Sequence, residues 1–314
     1  MKKSKILVIA LIVLLVALGA GAVLVFGENV GLTYSNADKY TAGGTTLTEA
    51  VDSLDVHWTS GFVNVEYHSG EGIVISETGN RAISGDDEMR WWLDGGTLRI
   101  QYAKSGRFRL FDRLQKTLTI SLPEGTVLKS AAMHLTSGDV NIPKLTADET
   151  ILELTSGDIN AVLDTKKLKA NATSGDLAIR LEGETDEVTI GVTSGTINVD
   201  LGNAKKVSVK STSGDIQVSG AAGNAELGAT SGKINVRLSA FDSLKIDVTS
   251  GDIKAWLPEE PGFRCEVSKT SGDFNYSGFS GVSKDGKVYT FGDGSRNCQI
   301  HVTSGDIRIE KYAE

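Results

Sequence analysis

The tripeptide Thr-Ser-Gly recurs at nearly constant spacing through the second half of the chain, and this repeat constrains the fold more than any other feature. Successive copies are 18 to 21 residues apart, except for one step of 33 residues near the C-terminus. A fixed period of this size indicates a solenoid, in which each repeat is one coil stacked on the next. A helical-repeat solenoid is excluded because so few residues cannot hold two amphipathic helices and their turns. The copies begin at Thr136, Thr155, Thr173, Thr193, Thr212, Thr230, Thr249, Thr270 and Thr303.

The residues on both sides of each copy alternate between apolar and polar. Val207 and Val209 precede Thr212, and Ile197 and Val199 follow the copy at Thr193. Alternation with period two, rich in Val and Ile, predicts half-buried strands that flank a corner. Strands that recur once per coil must lie parallel, about 4.8 Å apart, with like residues stacked on like. The sequence therefore predicts an all-β fold, a single-stranded parallel β-helix of coils of about 19 residues around a column of Val, Ile and Leu.

The repeated phrase itself is interpreted as a structural turn ladder. Glycine can take the positive φ that a sharp corner requires, and Ser and Asp side chains can bond the backbone amides that the corner removes from the ladder. A calcium site is the alternative, but each coil supplies one carboxylate and calcium takes six to eight oxygens, so no metal is expected. The ladder comprises Thr136, Ser137, Gly138, Asp139, Thr155, Ser156, Gly157, Asp158, Thr173, Gly175, Asp176, Thr212, Gly214, Asp215, Thr249, Gly251, Asp252, Thr303, Gly305 and Asp306.

Residues 1–27 combine a basic flank with a long apolar run. Three lysines precede an uncharged stretch of 21 residues from Ile6 to Phe26, close to the ~20 that a membrane-spanning helix needs. This predicts a single-pass anchor in the cell membrane, with a cytoplasmic N-terminus and an extracytoplasmic body. A cleaved signal peptide is the alternative because Ala20-Gly21-Ala22 resembles a cleavage site. Residues 28–50 are interpreted as a spacer.

The charge balance of the body argues against one class of partner. The chain has 32 basic and 40 acidic residues. Removing the three N-terminal lysines leaves 29 against 40, a net charge of about -11 for the exported part. A body this acidic is not expected to bind nucleic acid.

Outside the regular array the repeat is less clear. LDVHWTSGFVNVEY has the same alternation around Thr59, so residues 51–135 are interpreted as divergent coils or a capping sheet. Trp91 and Trp92 are interpreted as packing residues of this cap, and a ligand platform is the alternative. Residues 136–314 form the regular array, with an insert at about 277–297. In that insert Lys284-Asp285-Gly286 indicates a hairpin turn, on a loop that would stand off the coil and offer a place for a partner.

Cys265 and Cys298 each lie five residues before a repeat threonine. They are expected to hold the same inward position on adjacent coils, about one strand spacing apart, which is within the reach of a disulfide. Such a bond would persist outside the cytoplasm. Two buried free thiols are the alternative.

The sequence carries no recognisable catalytic or cofactor motif. It has four histidines, His57, His68, His134 and His301. His134 and His301 share a position in the repeat but are eight coils apart, about 38 Å, so they are not expected to share a metal. No catalytic residue and no cofactor is predicted, and the chain is not expected to be an enzyme.

The WTSG opening, the DGGTLRI segment, the SLPEG strand end and the serial TSGD and TSGK coils resemble the DUF4097 family of candidate bacterial adhesins, which is related to the DUF2807 β-helices. The likeness covers about residues 50 to 312. It implies a right-handed β-helix. Members with one N-terminal membrane segment resemble accessory proteins of envelope-stress operons in Gram-positive bacteria.

These observations predict a membrane-anchored extracytoplasmic β-helix that acts as an adhesin or as a binding or scaffold module of the cell envelope. Its expected partners are the membrane, through the N-terminal helix, and an unidentified protein or cell-wall glycan, and the oligomeric state is left open. An envelope-stress sensor or regulator is the second hypothesis. A polysaccharide-cleaving enzyme is the third.

Overall fold

The computed structural model describes residues 33–106 and 113–312. In these ranges the chain forms one continuous sheet of 21 strands and two short 3-10 turns, Ala37–Lys39 and Gly85–Asp87. The strands are β1 (Thr41–Ala42), β2 (Thr45–Leu47), β3 (Ser53–His68), β4 (Ile73–Gly79), β5 (Arg90–Asp94), β6 (Thr97–Gln101), β7 (Lys116–Pro123), β8 (Leu128–Ser156), β9 (Ile159–Ser174), β10 (Leu177–Glu182), β11 (Glu184–Ser194), β12 (Ile197–Ser213), β13 (Ile216–Ser231), β14 (Ile234–Ser250), β15 (Ile253–Leu257), β16 (Phe263–Ser271), β17 (Phe274–Ser277), β18 (Ser283–Asp285), β19 (Val288–Phe291), β20 (Arg296–Ser304) and β21 (Ile307–Lys311).

Neighbouring coils of the regular array pair in parallel, with like residues stacked on like. Between β12 and β13, Ile197 pairs with Ile216 and Val209 pairs with Leu227. Because successive side chains of a strand point to opposite faces, Val209 lies wholly inside while Lys210 is exposed. The interior is a continuous column of Val, Ile, Leu and Ala side chains that runs the length of the solenoid. The parallel coil predicted from the alternation is therefore present.

At both ends of the solenoid the coils are not stacked in the order of the sequence, and we call this arrangement the interleaved ends. β3 pairs on one side with β8 and on the other with β6 and β7, although β6 and β7 lie between them in the chain. At the opposite end, β14 and β15 pair with β20 and β21, which pair in turn with β16 and β17. The last coil in the sequence is thus the second-to-last coil in space.

Antiparallel hairpins close the column at the C-terminal end. β18 and β19 form a hairpin at the predicted turn, and β19 pairs with β16. Phe291, at the end of β19, is fully buried with its ring stacked on Phe263 at a centroid distance of 4.5 Å. The insert therefore covers the end of the column instead of standing off the coil, because its apolar side chains fill the space that another coil would occupy.

A buried ion pair supports the N-terminal end, where β4 pairs antiparallel with β7 and β5 with β6. The Lys116 ammonium lies 2.6 Å from Glu77 Oε2 and 2.8 Å from the Asp87 carbonyl oxygen. Burial lowers the pKa of Lys116, and the hydrogen bond with Glu77 acts in the opposite direction. The ammonium also lies 5.0 Å from the centre of a Trp58 ring. All these contacts are made within the fold, so Lys116 belongs to the cap rather than to an open site.

The fold class predicted from the sequence included an N-terminal transmembrane helix, and this part of the prediction is corrected here. A bilayer-spanning helix needs about 20 apolar residues in succession, and none of the helices within residues 33–106 and 113–312 is long and apolar enough to cross a membrane. The segment to which the sequence assigns the anchor, residues 1–27, lies outside the described residues. The fold class is therefore given as an all-β parallel solenoid alone.

Candidate functional site

The repeated corners stack into a column of glycines with almost no space between backbones. A Cβ built on Gly214 would lie 1.9 Å from the Gly195 carbonyl oxygen, and the φ of Gly214 is 144°. Both observations require glycine. The close approach to the Gly195 carbonyl oxygen is the stricter requirement, because it leaves no space for a Cβ atom. The same contact of 1.9 to 2.2 Å recurs from coil to coil along Gly61, Gly138, Gly157, Gly175, Gly195, Gly214, Gly232, Gly251, Gly305 and Gly272.

The aspartates of the turn ladder join one coil to the next through their side chains. Asp139 Oδ1 accepts the backbone N–H of Asp158 at 2.9 Å, and Asp158 Oδ1 accepts that of Asp176 at 2.8 Å. Asp215, Asp252 and Asp306 accept backbone amides in the same way. Each carboxylate therefore satisfies an amide that the corner takes out of the strand ladder, and the row holds the corners together.

The two cysteines face each other inside the C-terminal end. Cys265 pairs with Cys298 in register, and their Sγ atoms are 2.8 Å apart as free thiols. Burial raises the pKa of the Cys265 thiol well above its ordinary value, so this thiol would be neutral and unreactive if it were not bonded. The disulfide stays a prediction. When the protein is purified and unfolded without reductant, titration should find no free thiol. Two free thiols per chain would contradict the disulfide.

A pocket that the sequence did not predict lies on the outer face of the N-terminal coils. Its volume is about 610 Å³, which is within the range of small-molecule sites. Aromatic side chains of Tyr34, Tyr40 and Trp92 line it. Tyr34 and Tyr40 have ring centroids 4.7 Å apart, and Tyr40 meets Trp92 edge-on at 5.7 Å. Trp91, one residue away on the opposite face of β5, packs instead against the core. We call this site the N-terminal pocket.

The polar lining of the N-terminal pocket is nearly balanced in charge. Arg99 Nη1 donates to Asp55 Oδ2 at 2.5 Å, and its Nε donates to Asp94 Oδ2 at 3.3 Å. Burial raises the pKa of Asp55, but the hydrogen bond from His57 and the nearby charge of Arg99 outweigh it and hold that pKa below its ordinary value. Burial raises the pKa of Tyr40, so its hydroxyl stays protonated. The carboxylates are therefore already partnered within the protein.

The lining also contains one acceptor that the described residues leave without a partner. Gln101 is 5% exposed, and its Oε1 has no hydrogen-bond partner within residues 33–106 and 113–312. A buried carbonyl oxygen without a donor costs about 1–3 kcal/mol. A ligand hydroxyl in the N-terminal pocket would satisfy it.

Two histidines that are far apart in the sequence meet beside the pocket. His57 on β3 pairs directly with His134 on β8, and their rings stack with centroids 4.8 Å apart. His57 Nε2 lies 2.9 Å from Asp55 Oδ1. His134 Nδ1 lies 3.1 Å from Glu153 Oε2. His301, by contrast, pairs with Asp247 near the other end of the solenoid.

The sequence held a signal for this histidine pair. His57 lies two residues before Thr59 and His134 two residues before Thr136, which is the same position of the repeat. The step of 77 residues from Thr59 to Thr136 hid their adjacency. In that interval the chain forms β4 to β7, of which β6 and β7 stack on one side of β3, and it then returns in β8 to cover the other side.

A family model described as Toastrack DUF4097 matches residues 51–310. The chain belongs to this family. The Toastrack match runs from β3 into β21, so Tyr34 and Tyr40 of the N-terminal pocket lie before it. No curated protein matches the chain.

Several solved structures resemble this Toastrack chain at low identity. A candidate cell adhesion protein from Clostridium sporogenes is 13% identical with a TM-score of 0.22, over 87% of this chain and 100% of the other. A candidate adhesin from Bacteroides fragilis is 15% identical with a TM-score of 0.38, over 86% and 97%. A candidate lipid binding protein from Parabacteroides distasonis is 14% identical with a TM-score of 0.43, over 86% and 96%. Similarities this distant carry no inference about function.

Proposed function

We propose that this Toastrack protein is a binding module of the adhesin type that acts at the cell envelope, and that its N-terminal pocket holds a glycan. The proposal is carried by one observation, a buried acceptor on Gln101 in a polar pocket walled by aromatic rings. Sugars carry hydroxyl donors on a compact ring. A pocket that combines a buried acceptor with aromatic walls therefore suits a sugar ligand.

The charges of the pocket favour a neutral ligand over a strongly ionic one. Asp55 and Asp94 are both engaged by Arg99, so neither sign of charge is left in large excess. Tyr34 and Tyr40, each about half-buried, supply apolar rings, and their hydroxyl groups, which already contact Ala103 O and the Gln101 side chain, keep oxygen lone pairs that can accept from a ligand. Such side chains offer contact area and hydrogen bonds together. An uncharged, polyhydroxylated ligand such as an N-acetylated oligosaccharide is consistent with these features.

The test is titration calorimetry of the full chain against N-acetylglucosamine oligomers and against glycan strands released from purified cell wall. Saturable binding is expected. Trp92→Ala should weaken it at least about 10-fold through lost aromatic contact, and Tyr40→Phe, which removes only a hydroxyl, by about 5-fold, the equivalent of one hydrogen bond.

Trp256→Ala is the matched control. Trp256 is also half-buried on an outer face and has Lys254 Nζ 4.3 Å from its ring centre, as Trp92 has Lys39 at 4.7 Å, but it lies in β15 far from the pocket. The Trp256→Ala variant should bind the glycan probes with the same affinity as the unaltered protein. The absence of saturable binding to either probe, or equal affinities for Trp92→Ala and Trp256→Ala, would contradict the proposal.

A further inference from the structure

Asp55, His57 and His134 form a cluster whose chemistry is not explained by glycan binding. One ligand atom from each residue lies within 4.8 Å of the other two. The side chains of His57, Asp55 and His134 are 13%, 21% and 26% exposed, so the cluster is sheltered but open to solvent. We propose that these three residues bind a divalent transition metal of the zinc class.

Strand geometry places the three groups on one face. Asp55 and His57 are two residues apart in β3, so both point outward while Val56 points into the core. His134 lies opposite His57 in the parallel register. The residue opposite Asp55 is Ala132, whose small side chain leaves the carboxylate uncovered on that side. The solenoid thus assembles two imidazoles and one carboxylate from two adjacent coils.

Residues around the cluster hold the proposed ligands by hydrogen bonds, as the residues behind the ligands of known metal sites do. Ligating histidines usually donate their second ring N–H to a carboxylate, and His134 Nδ1 lies 3.1 Å from Glu153 Oε2. A proton on Nδ1 leaves the lone pair of His134 on Nε2. Glu153 is held in turn by Lys169 at 2.6 Å. Arg99 binds Oδ2 of Asp55, which leaves Oδ1 to serve the cluster.

The distances fit tetrahedral coordination after a small side-chain movement. Zinc–ligand bonds of about 2.0–2.2 Å place ligand atoms about 3.3–3.6 Å apart at tetrahedral angles. His57 Nε2 and Asp55 Oδ1 are 2.9 Å apart, and a metal would take the place of the proton between them. The largest separation, at most 4.8 Å, requires a shift of up to about 1.5 Å. Because the two imidazole rings are stacked 17° from parallel, the partly exposed ring of His134 must also turn so that the two nitrogen lone pairs converge on the metal.

The donor set selects the class of metal. Imidazole suits zinc, cobalt, nickel and copper, whereas calcium and magnesium prefer oxygen ligands throughout. Three protein ligands are typical of a site with an open fourth position. Asp55 and His57 also line the N-terminal pocket, so the open position lies at its border.

The test is calorimetric titration of the full chain with Zn²⁺ in the absence of any glycan, together with Co²⁺ absorption spectroscopy. One equivalent should bind, and Co²⁺ should develop visible bands of tetrahedral nitrogen and oxygen coordination. His57→Ala and His134→Ala should each weaken binding at least about 100-fold. Glu153→Gln, which keeps a hydrogen-bond acceptor for His134, should weaken it about 10-fold, within the range for outer partners.

Two controls make the outcome decisive. His301→Ala removes an imidazole that lies beside Asp247 without a second histidine in register, and binding should be unchanged. The double variant Cys265→Ser/Cys298→Ser removes two thiols, which are softer metal ligands than imidazole or carboxylate, and should also leave binding unchanged. The proposal is overturned if neither metal binds at micromolar concentration, if the His57 and His134 variants bind as the unaltered protein does, or if the cysteine variant alone loses the metal. Each result is independent of glycan binding.

Discussion

Replacement of Gly214 by alanine is the most direct test of why the corners carry glycine. The new Cβ would lie 1.9 Å from the Gly195 carbonyl oxygen, and real Cβ atoms essentially never come closer than 3.0 Å to another heavy atom. The corner must therefore move by at least about 1.1 Å, the difference between 1.9 and 3.0 Å. Two inter-coil hydrogen bonds hold it in place, from Gly195 N–H to Ser213 O at 3.1 Å and from Gly214 N–H to Ser231 O at 3.0 Å.

The magnitude follows from these contacts. Weakening both hydrogen bonds costs about 0.5–1.5 kcal/mol each, and alanine at a φ of 144° costs a further ~1–3 kcal/mol. We expect Gly214→Ala to lower the free energy of unfolding by about 2–6 kcal/mol. Urea unfolding should be followed by both far-UV circular dichroism and tryptophan fluorescence, because only coincident transitions justify a single free energy.

Gly286→Ala separates the steric clash from the backbone strain. Gly286 has a φ of 59°, but no atom lies within 4 Å of the position that a new Cβ would take, so its replacement should cost only about 1–2 kcal/mol. If Gly214→Ala is no more destabilising than Gly286→Ala, the close approach of the coils is not what requires glycine, and the reasoning is refuted.

Three further predictions concern the inward face, the turn ladder and the C-terminal end. Val209→Asp should cost several kcal/mol of unfolding free energy because it buries an unpaired charge, whereas Lys210→Asp should cost no more than about 1 kcal/mol in the same urea assay; equal tolerance would remove the inward assignment of Val209. Asp158→Ala should lower the free energy of unfolding by about 1 kcal/mol and Asp158→Asn by less, because the amide oxygen of Asn still accepts a hydrogen bond. A thermal midpoint of the unaltered protein that rises with added calcium would contradict a purely structural role of the turn ladder. The hydrogen bond from Lys311 lowers the pKa of Glu259 from 4.5 to about 2, so the stability that Glu259 contributes should be complete above pH 4.5 and disappear as the pH falls through 2. Thermal melts of the unaltered protein and of Glu259→Gln should therefore differ by a constant amount above about pH 5 and converge near pH 2; parallel curves throughout would show that Glu259 has no such role.

Much of the regular array could be predicted because its pattern follows from elementary geometry. Alternation with period two determines which side chains point inward, as at Val209 and Lys210, and one strand per period determines that the strands are parallel. The close glycine contacts were not predicted, since a positive φ alone is a sufficient reason for glycine at a corner. That reason fails at Gly138, which lacks a positive φ and yet would place a Cβ 2.2 Å from the Gly61 carbonyl oxygen.

The N-terminal pocket could not be predicted, for a different physical reason. Tyr34 and Tyr40 belong to the segment interpreted as a spacer, and its polar composition gives no sign that β1 pairs with β5 and β2 with β4. The sequence alone could not decide whether Trp92 packs or contacts a ligand. The structure decides it, because Trp91 takes the face of β5 that packs on the core and Trp92 takes the opposite face, which lines the pocket. Because coils of similar sequence can stack in more than one order, the adjacency of His57 and His134 also depends on pairings that the period does not specify.

The interleaved ends have a consequence for how the polypeptide matures. During synthesis β16 leaves the ribosome before β20, at a time when the edge of β14 is still open, and the two strands present the same Thr-Ser-Gly corner to that edge. β20, although it is made after both of them, must therefore come to lie between β14 and β16. Cys298 faces Cys265 only when β20 has paired with β16, so formation of the thiol contact reports on that pairing.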